Sequence, residues 1–594
     1  VTAPPELHAT MTGATAPRAG WMAALPGGLL VGASLLSLAL VPDEAYLRSK
    51  VVWSEGLLLA GAAAWLLCLA WQGRFVASAP NVLLAALLPA GLAGIWLALG
   101  RPLSGVLARD EVERLLLLPV AIWSTAIAGE REGARRALLA VVILSAIPVA
   151  GLAMAQNLAG ILELPLTRLA RPIGTFGNPV FLGAYLVLVT PVALAGALLG
   201  RGVLRWGGAL AAGLSLPALY ATQTRWAWLG FGVAVTLGAV LLAPNPQSRR
   251  KLLLVLLALG LLLLALDRDV LRRQQAHSLI WRDTLGLVAA HPLGVGPGQF
   301  PVAFPPYASD ELLAVYPRRE RIINDAHSEP LQIAAELGWI GLPVFAWLLF
   351  QLFRGARAAW RAAGETDRPL VAGLIAGLAG LCVMSCGSPD QRFVATTLLF
   401  GCLSGLLLSW GPSRTWVLAA PGRALAAAGG LVLLAGAAHQ TWDGLQLRRL
   451  MDVPASFEPA PGGAGEVARL QALADRDPLD AAARYELGVA LARERRWTEA
   501  AQAVEAAWVL SAGLPGLQRS LGLMQAMAGR VDDALPNLQA ALEQRPDDAE
   551  VRYLIAYLHF WKGEVREALQ EVETLLAQHP DHVLGRLLLQ KLRE

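Results

Sequence analysis

Thirteen apolar segments separated by polar connections dominate the chain, at about 22–41, 54–72, 80–99, 115–128, 137–160, 179–200, 206–221, 226–243, 252–266, 331–353, 369–387, 393–411 and 420–439. Such segments cross a bilayer as helices, because hydrocarbon offers no partner for an unbonded peptide group. The expected fold is therefore all-α, a polytopic transmembrane helical bundle of about thirteen spans. Composition agrees, since 55% of the 594 residues are hydrophobic and 16% charged, which excludes an ordinary soluble globule and a disordered chain. The four cysteines, Cys68, Cys382, Cys386 and Cys402, all lie in apolar runs, so they read as packing residues and not as a disulfide framework. Only four of the 49 basic residues are lysines, so arginine is a habit of the whole chain and no arginine is informative by type alone. The net charge of +4 gives no sign of nucleic acid.

Placing the N-terminus in the cytoplasm puts 16 basic residues in inner segments against nine in the short outer loops, the sense the positive-inside rule requires. The first span lacks a short core followed by a small-residue cleavage site, so it reads as a retained helix behind an N-terminal tail, 1–21, with Met11 as the expected native start. An odd span count then leaves the longest polar connection, 267–330, outside the cytoplasm, and with it everything after the last span. Composition changes at about residue 443. The membrane domain accordingly spans 22–442, a Pro/Gly-rich linker 443–465, and a soluble region 466–594.

That soluble region repeats itself with a 34-residue period: Leu487-Gly488, Leu521-Gly522 and Ile555-Ala556 fall in register, as do Ala500, Ala534 and Ala568, while Pro478, Pro546 and Pro580 share a phase. The pattern resembles the tetratricopeptide repeat, whose small residues let two antiparallel helices pack closely, and implies an α-solenoid. The early aromatic typical of that repeat is replaced by Arg484, Gln518 and Arg552. Such a scaffold either binds an acceptor or partner protein outside the membrane, or docks on the membrane part or on a second copy.

Chemistry in the membrane half points to the 267–330 loop, which holds three of the eight histidines: His277, His291 and His327. Histidine is the side chain best able to take up a proton near neutral pH. His327 stands in Asn324-Asp-Ala-His-Ser-Glu-Pro-Leu331, directly before the tenth span, and is the candidate base, with Asp325 beside it as a secondary candidate. His291, before Pro292, reads as a turn or helix-end residue. Arg171, Arg225, Arg282 and Arg392 all lie near outer ends of spans. An arginine at that depth either snorkels to water or serves an anion, and its forked donors suit the phosphate of a lipid-linked headgroup.

Taken in order, Arg171-Pro-Ile-Gly-Thr-Phe-Gly-Asn-Pro179, Thr222-Gln-Thr-Arg225, Trp281-Arg282, His291-Pro-Leu-Gly-Val-Gly296, Asp325-Ala-His-Ser-Glu-Pro-Leu331 and Glu336-Leu-Gly-Trp-Ile-Gly341 resemble the O-antigen ligase and polymerase superfamily of membrane glycosyltransferases, over about 20–415. Two positions depart from that family: Ser328, where Asn usually follows the histidine, and Val180, where Asn commonly follows the proline. The resemblance implies a GT-C-like bundle and a donor glycan on a polyprenyl (undecaprenyl) diphosphate. It further implies an essential histidine at His327, donor-diphosphate binding by Arg171, Arg225 and Arg282, and neither cofactor nor metal. The acceptor it implies is lipid A core, a growing glycan or a protein, so that ligase, polymerase and protein oligosaccharyltransferase all stay open. Asp267-Arg-Asp269 offers a carboxylate pair for a metal, but the tripeptide recurs as Asp475-Arg-Asp477 in the repeats. A transporter of lipid-linked saccharide is the alternative from another class, and the internal symmetry such a protein typically carries is not visible here.

Overall fold

The structure, a computed structural model, describes residues 25–41, 49–99, 105–159, 169–243, 245–251, 275–315, 323–451, 464–476, 481–510, 517–544, 546 and 548–593. Every expected span within that range falls on helix, that at 331–353 on two helices, and the expected ninth, 252–266, lies outside it. Among the described residues six helices are long and apolar enough to cross a membrane, joined by the shorter apolar helices Pro26–Leu40, Arg368–Met384 and Val394–Leu408. Gly105–Ala128, Gly202–Ala221 and Gly341–Ala362 are helices as well, each with charged residues toward one end.

Pro179–Leu199 is the central helix, with Leu182, Tyr185, Leu186 and Val189 fully or almost fully buried. Its start explains part of the Arg171–Pro179 motif: the Asn178 side chain accepts the Val180 N–H at 2.8 Å and Pro179 occupies the first helical turn, where no N–H partner is needed. Small residues set the close crossings. A Cβ on Gly230 would stand 2.5 Å from the Gly380 carbonyl oxygen, so the helices Arg225–Leu242 and Arg368–Met384 touch backbone to backbone. At the periphery, Ala420–Met451 lies along Ser49–Gln72, and Arg423 is not stranded in hydrocarbon because its guanidinium donates to the Ala70 and Trp71 carbonyls at 2.9 and 3.1 Å.

Two features depart from the expected architecture. The span expected at 331–353 is two helices, Glu329–Leu337 and Gly341–Ala362, broken at Gly338. Gly338 has φ +71°, and a Cβ there would meet the Pro292 carbonyl oxygen at 2.6 Å, so the turn that carries His291 occupies the break. The second is a two-stranded antiparallel ribbon, Arg74–Ser78 with Ser413–Val417, registered so that Arg74 faces Val417 and Ser78 faces Ser413.

The connections sort to two ends of the bundle. At one end Arg135 reaches the Ser409 carbonyl at 3.2 Å and lies over the Trp410 ring, whose Nε1 donates to Asp367 at 2.9 Å. At the other, Arg171 reaches Thr222, Glu329 reaches Ser385, and Trp226 contacts Trp281 at 6.3 Å between ring centroids. Thus Arg225–Leu242 leaves the His327 end, and residue 281 is back at it.

Beyond residue 464 the helices pair as the period predicts: Ala481–Arg493 with Trp497–Leu510, Leu517–Met527 with Val531–Gln544, and Ala549–Lys562 with Val565–Gln578, between Ala464–Arg476 and the final Val583–Arg593. Ala500, Ala534 and Ala568 are completely buried, and a Cβ on Gly488 would press into the Val504 side chain. The four cysteines are free. Cys68 and Cys402 are buried as packing residues, whereas Cys386 is exposed, because the Arg368–Met384 helix has ended before it.

Candidate functional site

His327 has φ +47°, a left-handed conformation that a non-glycine residue adopts only when its surroundings impose it. Those surroundings are visible. Asp325 Oδ1 accepts the His327 backbone N–H at 2.9 Å and stands 3.2 Å from its Nδ1, Trp281 Nε1 donates to its carbonyl at 3.2 Å, and Gln332 Oε1 accepts the preceding Ala326 N–H at 2.7 Å. With Nδ1 at the carboxylate, Nε2 is the nitrogen left to exchange a proton. The ring keeps 29% of its surface, enough to meet a substrate. Asp325, a secondary candidate from sequence, therefore orients the histidine.

The helix Gln275–Ala290 packs beside this segment and presents His277, whose ring stacks on that of His327 at 4.5 Å between centroids and 3° between planes. Burial pushes the His277 imidazole down to about 4, helped by the neighbouring His327 and Arg225 and opposed by Asp325. Sequence had marked His277 only as a loop histidine; its stacking partner is 50 residues away, so nothing local announced it.

The arginines divide. Arg171 Nε donates to the Thr222 carbonyl at 2.9 Å and its NH2 reaches Thr224 Oγ1 at 3.4 Å, which brings it to the residue preceding Arg225. The loop that carries it is clamped by Gln156, whose Oε1 accepts the Ile173 and Gly174 N–H groups, and by Thr175, which donates to the Ala39 carbonyl at 2.6 Å. Lys50, fully buried, reaches Thr175 at 3.3 Å and sits 4.1 Å above the Phe176 ring. Arg225 opens its helix and acts electrostatically on His277, so Arg171, Arg225, His277 and His327 form one neighbourhood. Arg282 points elsewhere: its guanidinium bonds Asp283 at 3.0 Å, Ser309 at 2.6 Å and Glu311 at 2.9 Å on a half-exposed surface. His291 ends its helix, as read from sequence, with Nε2 2.9 Å from the Tyr307 hydroxyl.

Arg392 is held by two buried carboxylates. Its NH1 donates to Glu336 at 2.6 Å and its NH2 lies 3.8 Å from Glu111, which itself pairs with Arg114. Glu336 also accepts the Gly298 and Phe300 N–H groups at 2.9 and 3.2 Å and the Gln332 amide of its own helix at 2.8 Å, so this carboxylate ties the 298–300 turn and the Arg392 segment to the helix Glu329–Leu337. Arg114 and Glu111 went unmarked in sequence; a charged pair three residues apart at the edge of an apolar segment was the available signal. Beside them burial raises two acids, Glu329 to about 7 and Asp390 to about 8, and one oxygen of each, Glu329 Oε2 and Asp390 Oδ2, lacks a protein partner. The carboxylates Asp267 and Asp269 lie outside the described residues.

Residues 210–346 match the family described as O-antigen ligase, a stretch that contains Arg225, Arg282, His291, Asp325 and His327 but neither Arg171 nor Arg392. Residues 467–515 and 525–592 match tetratricopeptide repeat families. No curated protein matches the chain. Solved structures that match include the APC/C hetero-tetramer Cut9-Hcn1, 13% identical with 92% of this chain and 90% of that chain covered, at a TM-score of 0.20, too low to bear on the fold. The chain thus carries a stretch similar to the O-antigen ligase family, which supports a glycosyltransferase-type enzyme, on a multi-pass helical scaffold followed by tetratricopeptide repeats.

Proposed function

We propose that this ligase-type glycosyltransferase moves a glycan from a polyprenyl diphosphate carrier to an acceptor hydroxyl at the His327 end of the bundle, on the periplasmic face of the inner membrane, without a metal. The observation that carries the reading is the placement of a conformationally imposed histidine, oriented by Asp325, in one neighbourhood with Arg171 and Arg225. In the transfer, His327 Nε2 takes the acceptor's hydroxyl proton as the acceptor oxygen bonds the anomeric carbon. The bond from that carbon to the diphosphate oxygen breaks, and its electron pair leaves with the diphosphate. Arg171 and Arg225 hold the diphosphate, whose charge grows as it departs, and fixed cations stabilise such charge best where water is scarce. Arg282, tied to Asp283 and Glu311, supports the loop and contributes to donor binding only by releasing those partners. The repeats are the region for engaging an acceptor or a partner protein.

The purified protein, in excess EDTA, is offered a lipid-linked glycan with lipid A core, a growing glycan or a protein acceptor in turn. Transfer in one arm with release of polyprenyl diphosphate is expected. Transfer in none of them, or only after Mg2+ or Mn2+ is restored, contradicts the reading and in the second case turns attention to Asp267 and Asp269.

A further inference from the structure

The ring of His277 is placed in a way the proposed chemistry does not use. It lies parallel to His327, 4.5 Å away, on a helix whose next turn presents Trp281 to the His327 carbonyl. One helix therefore grips the candidate base twice, through its ring and through its backbone, while Asp325 holds the Nδ1 edge. We propose that His277 is a positioning residue for His327, its ring closing one face of the base and fixing the plane in which Nε2 meets the acceptor hydroxyl. This rests on the reading of His327 as the base.

The electrostatics of the neighbourhood suit the role. The charged and titratable groups that act on His277 are His327 and Asp325 of the 323–328 segment and Arg225 at the start of Arg225–Leu242. Two of these three disfavour a proton on His277, and so does its burial, which keeps the ring uncharged at neutral pH. When His327 takes the acceptor's proton, its new charge lies against a neutral aromatic face and not against a second cation. A flat uncharged ring can be reproduced by another side chain, which makes the role separable from proton transfer by His277 itself. Trp281 belongs to the same device through its Nε1 bond, but its contact with Trp226 gives it a packing role as well, so His277 is the cleaner probe.

The test uses the full-length protein in lipid nanodiscs with lipid-linked glycan donor and the acceptor that supports transfer, and measures kcat, donor KM and the acid limb of kcat/KM. Loss of ring alignment costs on the order of tenfold to a hundredfold in rate. His277→Ala should therefore lower kcat by about tenfold or more while donor KM stays within about twofold, and His277→Phe should recover most of the rate. His277→Arg sets a permanent cation against the base, which makes His327 lose its proton more readily. Its acid limb should move to lower pH by roughly one unit or more, at a reduced maximal rate. His277→Phe no better than His277→Ala, His277→Ala with wild-type kcat, or an unmoved acid limb in His277→Arg would each overturn the proposal. Phe and Arg both fill the ring's space, so that pair decides the matter even where the alanine variant does not fold. His327→Ala is run alongside: retained transfer there overturns the reading of the base itself, whatever the His277 variants do.

Discussion

Replacing Glu329 by glutamine should make the protein more stable above neutral pH, although it removes a buried side chain's charge from a network of charges. In the folded chain burial lifts the Glu329 carboxyl from its ordinary 4.5 to about 7, with Glu111 and Glu336 adding to the rise and Arg114 and Arg392 opposing it. The folded state therefore keeps its proton through a window, about 4.5 to 7, in which the unfolded chain has lost it. There the unfolded state binds fewer protons, so stability falls as pH rises, and above about 7 the whole deficit is present. A rise of about 2.5 units corresponds to about 3 kcal/mol, at roughly 1.4 kcal/mol per unit. Glutamine cannot ionise and keeps the shape, and Glu329 Oε2 has no protein partner that the amide would displace. Equilibrium unfolding in mixed micelles, followed by the fluorescence of the 19 tryptophans, gives the stability of both proteins at pH 5 and pH 8. The advantage of Glu329→Gln should grow by up to about 3 kcal/mol between the two. Parallel pH profiles for the two proteins would refute the reasoning and show Glu329 to be ionised throughout.

Arg225→Ala should weaken use of the donor about tenfold to a hundredfold, the worth of one charge-assisted bond, with Arg225→Lys a partial rescue; separate donor and acceptor titrations check this, and a change confined to the acceptor contradicts it. Arg392→Ala leaves Glu336 and Glu111 buried without their shared cation, and should cost about 3–5 kcal/mol in the same unfolding assay, far more than an exposed ion pair. Cys386, exposed at the His327 end, should react with an impermeant maleimide in intact spheroplasts, and labelling only after lysis would put that end in the cytoplasm. In a Cys386→Ser background, Glu543→Cys should likewise label from outside, reporting the side occupied by the repeats.

Apolar length made most of the bundle legible, because hydrocarbon leaves a long apolar segment one way to satisfy its backbone. The repeats were legible for a different reason: Ala500, Ala534 and Ala568 sit where two helices cross too closely for anything larger, so the period had to be kept. The break at Gly338 was hidden, since Leu337-Gly-Trp-Ile-Gly-Leu342 is apolar on both sides of it and what stops the helix is the distant Pro292 carbonyl. The ribbon was hidden likewise, its two short strands lying more than 300 residues apart. At the site, His327 and Asp325 were readable as neighbours in sequence. The shared cation of Glu336 and Glu111 and the stack of His277 on His327 are contacts across long separations, which no spacing rule anticipates. Arg282 is the converse case: its motif sets it beside the donor arginines, while in the structure Asp283, Ser309 and Glu311 hold its donors.

The central claim is that His327 takes the acceptor's proton, and single-turnover transfer with the donor pre-bound addresses it directly by separating binding from chemistry. His327→Ala should bind lipid-linked glycan as wild type does, elute as the same folded species and transfer nothing within the time wild type completes a turnover, while His291→Ala keeps most of its rate. Transfer by folded His327→Ala at the wild-type rate, or equal loss in folded His291→Ala, would contradict the account.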